Sequence, residues 1–419
     1  MPLTPRTTPL SLTDAAHLLR RTGFGATEAQ IHALVGRTPQ AAADELLTFS
    51  AETLPTPFQP LGAVSPGAAI KLMQAAWLRE MVLTPHPLRE RLTLLWSNHF
   101  VIGTDKVKNV SALEGYLSAL RTHALGRFGD LALAAVQTPA VLRYLDNDQN
   151  KKGKPNENLG RELLELFTAG IGHYSENDVK EGARALTGWT YQGGRGNKQF
   201  AQPQTFTFNA RQHDAGVKTY LGQSGQFGGE DIVRLAAAHP ATADRVAFKL
   251  WQAFVSDAPD PAGQAALADV LRQNGGDLRQ TLAALLGSQD FYAATGRIIR
   301  SPVDFVVGAL RASGRQDFSE KTYLSLTTSL ARLGQELLHP PTVKGWDGGR
   351  EWINDGTLLL RMQVAAALSL GQPKNPALSS VPPSALALLG RPDLPPAFAK
   401  LGPAQRTYLM LVSPEYQLL

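Results

Sequence analysis

A helix-spaced group of ionisable side chains is the clearest candidate for chemistry in this sequence. Glu162 and Glu165 follow Arg161 on one predicted helix, and Asn158 lies one turn before them. Residues three and four positions apart share a helical face, so this face carries two carboxylates beside a guanidinium. If the face lines a cleft, the guanidinium keeps one carboxylate ionised while the other has a raised pKa, as general acid–base catalysis needs. Arg161, Glu162 and Glu165 are therefore candidate catalytic residues.

The same spacing has a structural alternative. Arg161 and Glu165 are an ordinary i,i+4 pair, which stabilises an exposed helix by roughly 0.2–0.5 kcal/mol. Spacing alone does not distinguish a cleft from a surface pair. The crowding of polar side chains at the start of this helix favours a site, and we take Asn156 and Asn158 as candidate substrate-binding residues.

A polar loop later in the chain supplies further candidates. His213 is a titratable base, Asp214 a carboxylate that can orient it, and Lys218 a cation. Neighbouring side chains of an extended chain point to opposite sides, so His213 and Asp214 are not by themselves a catalytic dyad. We assign His213 as an auxiliary catalytic residue, with Asp214 and Lys218 as substrate-binding candidates.

The segment 339–349, here called the Trp346 loop, is rich in proline and glycine and contains Trp346 and Asp347. Tryptophans usually pack in a core, but one exposed beside carboxylates suits stacking on a sugar ring, so both residues are substrate-binding candidates. We expect the helix near Asn156, the His213 loop and the Trp346 loop to converge on one cleft, because loops and helix ends tend to carry function. The alternative is three independent structural turns.

The loop that precedes the central helix resembles a calcium-binding loop in its spacing. Carboxylates and an amide fall at four ligand positions of an EF-hand pattern, namely Asp146, Asp148, Asn150 and Glu157. Lys151 stands where the sharp turn needs glycine, and three lysines cancel the charge of the three carboxylates. These features argue against calcium. The sequence predicts no metal site and leaves other cofactors open.

Helical signals dominate the rest of the chain. Capping boxes begin helices at Ser11, Thr27 and Ser175. Apolar periodicity and caps predict further helices over 68–83, 87–100, 109–123, 230–238, 240–255, 261–273, 277–287, 302–313, 322–337 and 355–369.

The predicted fold is mostly α, a multi-helical layered bundle. Residues 190–192 and 205–208 alternate with period two, which predicts a small β-hairpin insertion near 188–210. A chain of 419 residues is too long for one small core. We expect an N-terminal helical subdomain over 1–140, a central helix–loop–helix with the hairpin over 141–230, and a C-terminal helical subdomain over 231–419.

Composition limits the partners and the compartment. The net charge of +5 is spread thinly over the chain, which indicates an anionic partner only weakly, and without cysteine or a basic run a nucleic-acid partner is disfavoured. No apolar run is long enough to span a bilayer, and the first residues lack the apolar core of a signal peptide. We predict no membrane span and a cytoplasmic protein, unless a leader was removed. The oligomeric state stays open.

Several long runs resemble the bacterial domain-of-unknown-function family 1800. They include LLRRTGFG (18–25), LRERLTLLWSNHFV (88–101), GKPNENLGRELLELFTAGIGHYSENDVKEGARALTGW (153–189), GRIIRSPVDFVVGALRASG (296–314) and LGQELLHPPTVKGWDGG (333–349). The resemblance extends over nearly the whole chain. It implies a known family without an established activity, cofactor or fold. Members are often exported, whereas this sequence shows no leader.

Two functions follow from the candidate residues. The first is an enzyme of hydrolase or lyase type that acts on a polar, glycan-like substrate by carboxylate acid–base chemistry. The alternative is a non-catalytic ligand-binding or assembly protein whose polar helical pocket holds a polar or anionic small molecule or glycan. A concave pocket shared by Glu162, Glu165 and the His213 loop would favour the enzyme, and a closed ion-pair network would favour the alternative.

Overall fold

A computed structural model of the protein describes residues 3–49, 64–194, 199–258, 260–370 and 382–419. Within these ranges the chain is mostly helical, and its only β-sheets are two antiparallel two-stranded ones. The predicted mostly α fold with a small hairpin insertion is confirmed.

The first part of the chain is entirely helical apart from its loops. The Ser11 hydroxyl accepts a 3.2 Å hydrogen bond from the Asp14 N–H, and the Asp14 carboxylate accepts one of 3.0 Å from the Ser11 N–H, so the predicted capping box is present. The helices are α1 (Leu12–Gly23), α2 (Glu28–His32), α3 (Pro39–Leu46), α4 (Pro66–Leu83), α5 (Pro87–Ser97), α6 (Val110–His123), α7 (Phe128–Val136) and α8 (Pro139–Tyr144).

The central segment departs from a regular α-helix. Helix α9 (Asn158–Glu162) continues directly into a π-helical turn over Leu163–Phe167. The Thr168 hydroxyl donates to the Leu163 carbonyl at 2.5 Å, five residues back, which closes the wider turn. Because the turn is wider, residues after it no longer share a face with residues before it.

The chain then forms α10 (Glu176–Ala185), which begins in the predicted Ser175 capping box. Strands β1 (Trp189–Gly193) and β2 (Gln204–Phe208) form the predicted hairpin, with Trp189 opposite Phe208. Residues 195–198 of its turn lie outside the described ranges. A second sheet, β3 (Lys218–Tyr220) with β4 (Gln223–Gly225), was not expected, because its strands of three residues are too short to show alternation.

The second half of the chain is again helical. Its helices are α11 (Gly229–Ala238), α12 (Pro240–Phe254), α13 (Pro261–Gln273), α14 (Leu278–Leu286), α15 (Gln289–Tyr292), α16 (Pro302–Ser313), α17 (Glu320–Arg332), α18 (Asp355–Leu370), α19 (Ala385–Leu389), α20 (Pro396–Ala399) and α21 (Pro403–Val412). Helix α17 ends five residues before its predicted end at 337. Gly334 adopts a φ of +94° there, a left-handed conformation that stops a helix.

Helices from the two ends of the chain pack against each other. Helix α4 lies against α17, α3 against α14, and α1 against α15. A single cluster of buried apolar side chains extends through these contacts. The proposed division into three segments stays a prediction, and the segments share this core.

Candidate functional site

A groove lies between α12 and the Trp346 loop. It consists of two adjoining cavities, an inner one of about 160 Å³ and an outer one of about 410 Å³. Residues common to both linings are Asn98, Lys249, Gln252, Trp346 and Asp347. We call the two cavities the inner and outer arms of the Trp346 groove. Two arms of this size offer room for a small ligand, since such sites usually measure roughly 300–1,000 Å³.

One face of α12 forms a wall of the groove. Arg245, Phe248, Lys249 and Gln252 follow one another at helical spacing, and all four line the outer arm. The opposite face of α12 is buried in the core through Val246, Ala247, Leu250, Trp251 and Phe254. This apolar stripe fixes the rotation of the helix and therefore directs its polar face into the groove.

A single amide holds the Trp346 loop against α5. The Asn98 side chain accepts a hydrogen bond from the Trp346 N–H at 2.7 Å and donates one to the Trp346 carbonyl at 3.1 Å. Gly345 adopts a φ of +90°, and a Cβ there would overlap the Asn98 amide. Position 345 therefore requires glycine for both its conformation and its space.

The π turn supplies the carbonyl groups that orient two side chains of the outer arm. Arg245 Nε donates to the Leu166 carbonyl at 2.7 Å, and His99 Nε2 lies 2.9 Å from the Phe167 carbonyl. A carbonyl oxygen only accepts, so the His99 proton is on Nε2 and Nδ1 is an acceptor. Among the residues that the structure describes, His99 Nδ1 has no hydrogen-bond partner.

Burial keeps His99 neutral. The ring is only 3% exposed and packs against Trp96, Phe100 and Phe128. Burial, reinforced by the nearby Lys249 and Arg245 cations, lowers the pKa of His99 to about 3. The outer arm therefore contains a neutral imidazole beside two cations.

Two of the three carboxyl groups that line the inner arm, Asp257 and Asp304, lie in different environments. Burial raises the pKa of Asp257, and the neighbouring charge of Asp304 adds to this effect. Burial also opposes ionisation of Asp304, but its ion pair with Arg91 and a 2.7 Å hydrogen bond from the Ser301 hydroxyl outweigh it and lower the pKa of Asp304. Burial therefore favours the protonated form of Asp257, whereas the ion pair favours the ionised form of Asp304.

Three polar side chains of the groove make no hydrogen bond or ion pair with the rest of the described chain. Lys249 and Gln252 on α12, and Asp347 in the Trp346 loop, have side chains without a hydrogen bond or ion pair to any residue of the described ranges. Lys249 is half-buried, and burial together with the Arg245 charge lowers its pKa, while the Asp347 charge opposes the shift. A cation, an amide and a carboxylate are thus available to a ligand.

Three of the residues predicted from the sequence line the groove: Glu165, Trp346 and Asp347. The Glu165 carboxylate accepts a hydrogen bond from the Tyr174 hydroxyl at 3.1 Å. Trp346 is only 6% exposed, so its ring does not offer an open stacking surface. The exposed aromatic ring of the outer arm is that of Phe248, which is 38% exposed.

Arg161 and Glu162 lie away from the groove lining. Arg161 pairs with Glu176 at 2.8 Å and with Glu157 at 3.3 Å, whereas the i,i+4 spacing in the sequence allowed a pair with Glu165. The Glu165 carboxylate accepts from Tyr174 instead. Burial and the nearby Glu165 charge raise the pKa of Glu162, which has no hydrogen-bond partner in the described chain.

The His213 loop is a closed hydrogen-bonded network beside the hairpin. His213 Nδ1 donates to the Thr187 carbonyl at 2.9 Å, and Lys218, only 1% exposed, donates to the Asp214 and Gly216 carbonyls at 2.6 and 2.9 Å. Arg184 binds the Asp214 carboxylate with two nitrogens and lowers the pKa of Asp214 to about 2. None of His213, Asp214 and Lys218 is among the residues that line the groove.

The two asparagines before α9 have local structural contacts. The Asn156 side-chain oxygen accepts a hydrogen bond from the Asn158 N–H at 3.0 Å, as a turn residue does. The Asn158 amide nitrogen lies 3.5 Å from the Asp146 carboxylate. Neither asparagine is among the groove-lining residues.

The residues of the calcium-like loop are engaged by protein groups. Asp146 pairs with Lys106, Asp148 lies 3.7 Å from Arg143, and Glu157 pairs with Arg161. Asn150 is buried and donates to the Ala183 carbonyl at 2.9 Å. Within the described ranges, no three His, Asp or Glu side chains are grouped as a metal ion would need.

The comparison with protein families identifies the chain. The family model described as a protein of unknown function (DUF1800) matches residues 17–418. The chain belongs to the DUF1800 family. No curated protein and no solved structure matches it. The helices of this DUF1800 protein that the structure describes include none long and apolar enough to cross a membrane.

The groove of this DUF1800 protein includes residues that sequence reasoning missed. Arg245 and Lys249 are two cations at i,i+4 on a correctly predicted helix with no carboxylate on the same face, a signal that was present in the sequence. Asp257 follows the end of α12 with no recognisable pattern, and Asn98 lies at the end of α5 with no motif around it.

Proposed function

We propose that the Trp346 groove is the active site of a hydrolase or lyase that acts on a polar, glycan-like substrate. The observation that supports this function is the set Lys249, Gln252 and Asp347, which lines both arms and has no partner within the described ranges. Shielding a polar group from water without a hydrogen bond is unfavourable for folding. A ligand that supplies the missing bonds explains why the half-buried Lys249 and Gln252 are kept there.

Proton transfer is assigned to carboxyl groups of the two arms. Asp257 has a raised pKa, which favours the protonated form and makes it the proposed general acid for the leaving group. Glu165 is the proposed general base, with Asp347 beside it in the outer arm. In a hydrolase the base removes a proton from water, and in a lyase it removes a proton from carbon. Of the sequence candidates Arg161, Glu162, Glu165 and His213, this assignment retains Glu165.

The test is turnover of a panel of neutral and acidic polysaccharides by the wild type, Asp257→Asn and Glu165→Gln. Reducing-end assays report cleavage, and the ultraviolet absorbance of the new C=C bond identifies elimination. We expect roughly 10²- to 10⁴-fold losses in both variants, as for removal of a general acid or base. Asp269→Asn, an exposed carboxylate on α13, is the matched control and should keep full activity. Full activity in Asp257→Asn and Glu165→Gln would contradict the assignment.

Two observations favour the non-catalytic alternative. The His213 loop is a closed hydrogen-bonded network outside the groove. Asp304, the second carboxylate of the inner arm, is locked by Arg91 and Ser301 in a closed network, which removes it from proton transfer. A binding protein would bind a member of the panel without turning it over, and Asp257→Asn would leave that affinity unchanged. The same panel therefore separates the two functions.

A further inference from the structure

Two cations on α12 face the outer arm, and neither is engaged in an ion pair within the described ranges. Arg245 and Lys249 lie at i,i+4 and both line this cavity. Like charges at this spacing destabilise a helix, and partial burial strengthens their repulsion. Neither side chain forms an ion pair with any residue that the structure describes. The fold therefore keeps two positive charges together, and the Glu165 and Asp347 carboxylates of the same arm act on them without forming an ion pair.

A hydrogen bond to the backbone partly fixes the position of the Arg245 guanidinium. The bond from Arg245 Nε to the Leu166 carbonyl holds the guanidinium in place, and its two terminal nitrogens have no acceptor among the described residues. Across the groove, Trp346 Nε1 is buried and has no acceptor among the described residues. Guanidinium, ammonium and indole N–H groups only donate, so their common requirement is a ligand rich in acceptors.

Exposed apolar side chains accompany the cations. Phe248 lies between Arg245 and Lys249 in sequence and is 38% exposed, and Ile171 on the facing wall is 75% exposed. Such side chains give an inorganic anion nothing to bind. They do suit the C–H face of a sugar ring. The outer arm therefore combines an anion-binding wall with a small apolar surface.

We propose that the outer arm is a subsite for a carboxylate-bearing sugar, namely a uronate unit of an acidic glycan. This inference rests on the proposed function, for which it names the substrate class. Arg245 and Lys249 bind the sugar carboxylate, Gln252 and Asp347 bind hydroxyl groups, and Phe248 contacts the ring. A guanidinium group can donate two parallel hydrogen bonds to a planar carboxylate. An ammonium group adds positive charge and can donate in several directions.

The charge balance of the cavity supports this assignment. Arg245, Lys249 and Lys344 line the outer arm together with two carboxylates, Glu165 and Asp347, so the lining has a net positive charge. Burial and the Arg245 charge lower the pKa of Lys249. A bound carboxylate would reverse this shift, because an opposite charge favours the protonated amine.

The test compares three probes by titration calorimetry on the full chain: trigalacturonate, its fully methyl-esterified form and inorganic phosphate. The two sugars share their rings and differ in charge. We expect the wild type to bind the acid at least about tenfold more tightly than the ester, in line with a charge-assisted hydrogen bond. Equal binding of acid and ester, phosphate binding as tight as the acid, or binding of no probe would each overturn the subsite. This comparison needs no variant.

Variants then test whether Arg245 and Lys249 are the residues that recognise the carboxylate charge. Lys249→Met and Arg245→Gln should each weaken trigalacturonate binding roughly ten- to a hundred-fold and abolish the preference for acid over ester. Lys249→Arg should restore most of the preference, and Lys180→Met, an exposed lysine on α10, should leave it unchanged. An acid preference that survives both Lys249→Met and Arg245→Gln would overturn the assignment.

The two proposals fail in different ways. If the subsite is wrong, the acid preference is absent while turnover still depends on Asp257 and Glu165. If the catalytic function is wrong, no polysaccharide is cleaved while trigalacturonate still binds with its charge preference.

Discussion

His99 illustrates how much the groove depends on the environment of a single residue. Aromatic rings surround the imidazole, and the Phe167 carbonyl fixes its proton on Nε2. A charged imidazole in this position would lack water and would face Lys249 and Arg245. The neutral form is therefore part of the folded structure, and stability should depend on pH through this residue.

The first prediction concerns that dependence. The pKa of His99 is about 3 in the folded chain against an ordinary value of 6.5, so between these values the unfolded chain binds a proton that the folded chain does not. The free energy of unfolding should therefore fall as pH drops below 6.5, by about 1.4 kcal/mol per pH unit for this group. Urea denaturation at several pH values between 6.5 and 5 measures the slope.

Substitution identifies the group responsible. His99→Gln should reduce the slope by about 1.4 kcal/mol per pH unit, the contribution of one proton, because glutamine does not titrate. His17, buried beside Phe291 with its pKa also lowered to about 3, should contribute equally, and His17→Gln is the matched control. An unchanged slope in His99→Gln would contradict the prediction.

At the scale of elements, the groove depends on how the Trp346 loop is attached to α5. The Asn98 side chain makes both hydrogen bonds of this attachment. It accepts one of 2.7 Å from the Trp346 N–H and donates one of 3.1 Å to the Trp346 carbonyl. The loop has no regular secondary structure over 339–348, so backbone pairing does not hold it in place. Its position, and with it Asp347, depends on this amide.

We predict that Asn98→Ala destabilises the protein by about 1–3 kcal/mol, because it leaves two backbone groups of Trp346 without partners. Ligand binding in the groove should weaken as well. Asn98→Asp keeps the acceptor for the Trp346 N–H but loses the donor, so about half of the loss is expected. Chemical denaturation measures the first effect and calorimetric titration the second. A wild-type stability in Asn98→Ala would show that other contacts hold the loop.

The elements themselves were largely predictable from the sequence. Local signals such as the Ser175 capping box and the period-two alternation of β2 identify a helix start and a strand without knowledge of the fold. The π turn left no such signal, because Leu163–Phe167 reads as a regular helix whether its hydrogen bonds span four residues or five. Turns of this kind are recognised from the backbone alone.

The site was less predictable than the elements. Glu165 and Asp347 were proposed from residue chemistry, but their common cavity is a matter of tertiary packing between the π turn and a loop far along the chain. The loop around His213 shows the opposite case. Its polar side chains have the composition of a site, and in the fold Lys218 satisfies backbone carbonyls instead.

At the scale of the whole molecule, a buried polar network as well as apolar packing joins α18 to segments that precede and follow it in the chain. Arg361 of α18 is fully buried and donates to the Arg300 carbonyl at 2.6 Å and to the Gln417 side chain at 3.1 Å. Its guanidinium also lies 5.3 Å from the centre of the Phe305 ring on α16. Because of such contacts, the stability of one segment depends on the folding of segments far from it in the sequence.

We therefore predict that the protein unfolds in a single cooperative transition. Helices of the first 140 residues pack on helices beyond 231, so neither segment has a core of its own to retain. Differential scanning calorimetry and far-ultraviolet circular dichroism should give the same midpoint, and Arg361→Met should lower it without splitting the transition. Two separate transitions would instead indicate that the three segments fold as independent subdomains.

The π turn relates the outside of the molecule to the groove. Arg161 lies before the turn and pairs with Glu176 at the surface, while Glu165 lies within the turn and lines the outer arm. With α-helical winding through Leu163–Phe167, the end of this segment would point in a different direction. The Leu166 and Phe167 carbonyls would shift with it, away from Arg245 and His99. The orientation of Arg245 and His99 in the groove is thus a property of backbone winding, set by the span of a few hydrogen bonds.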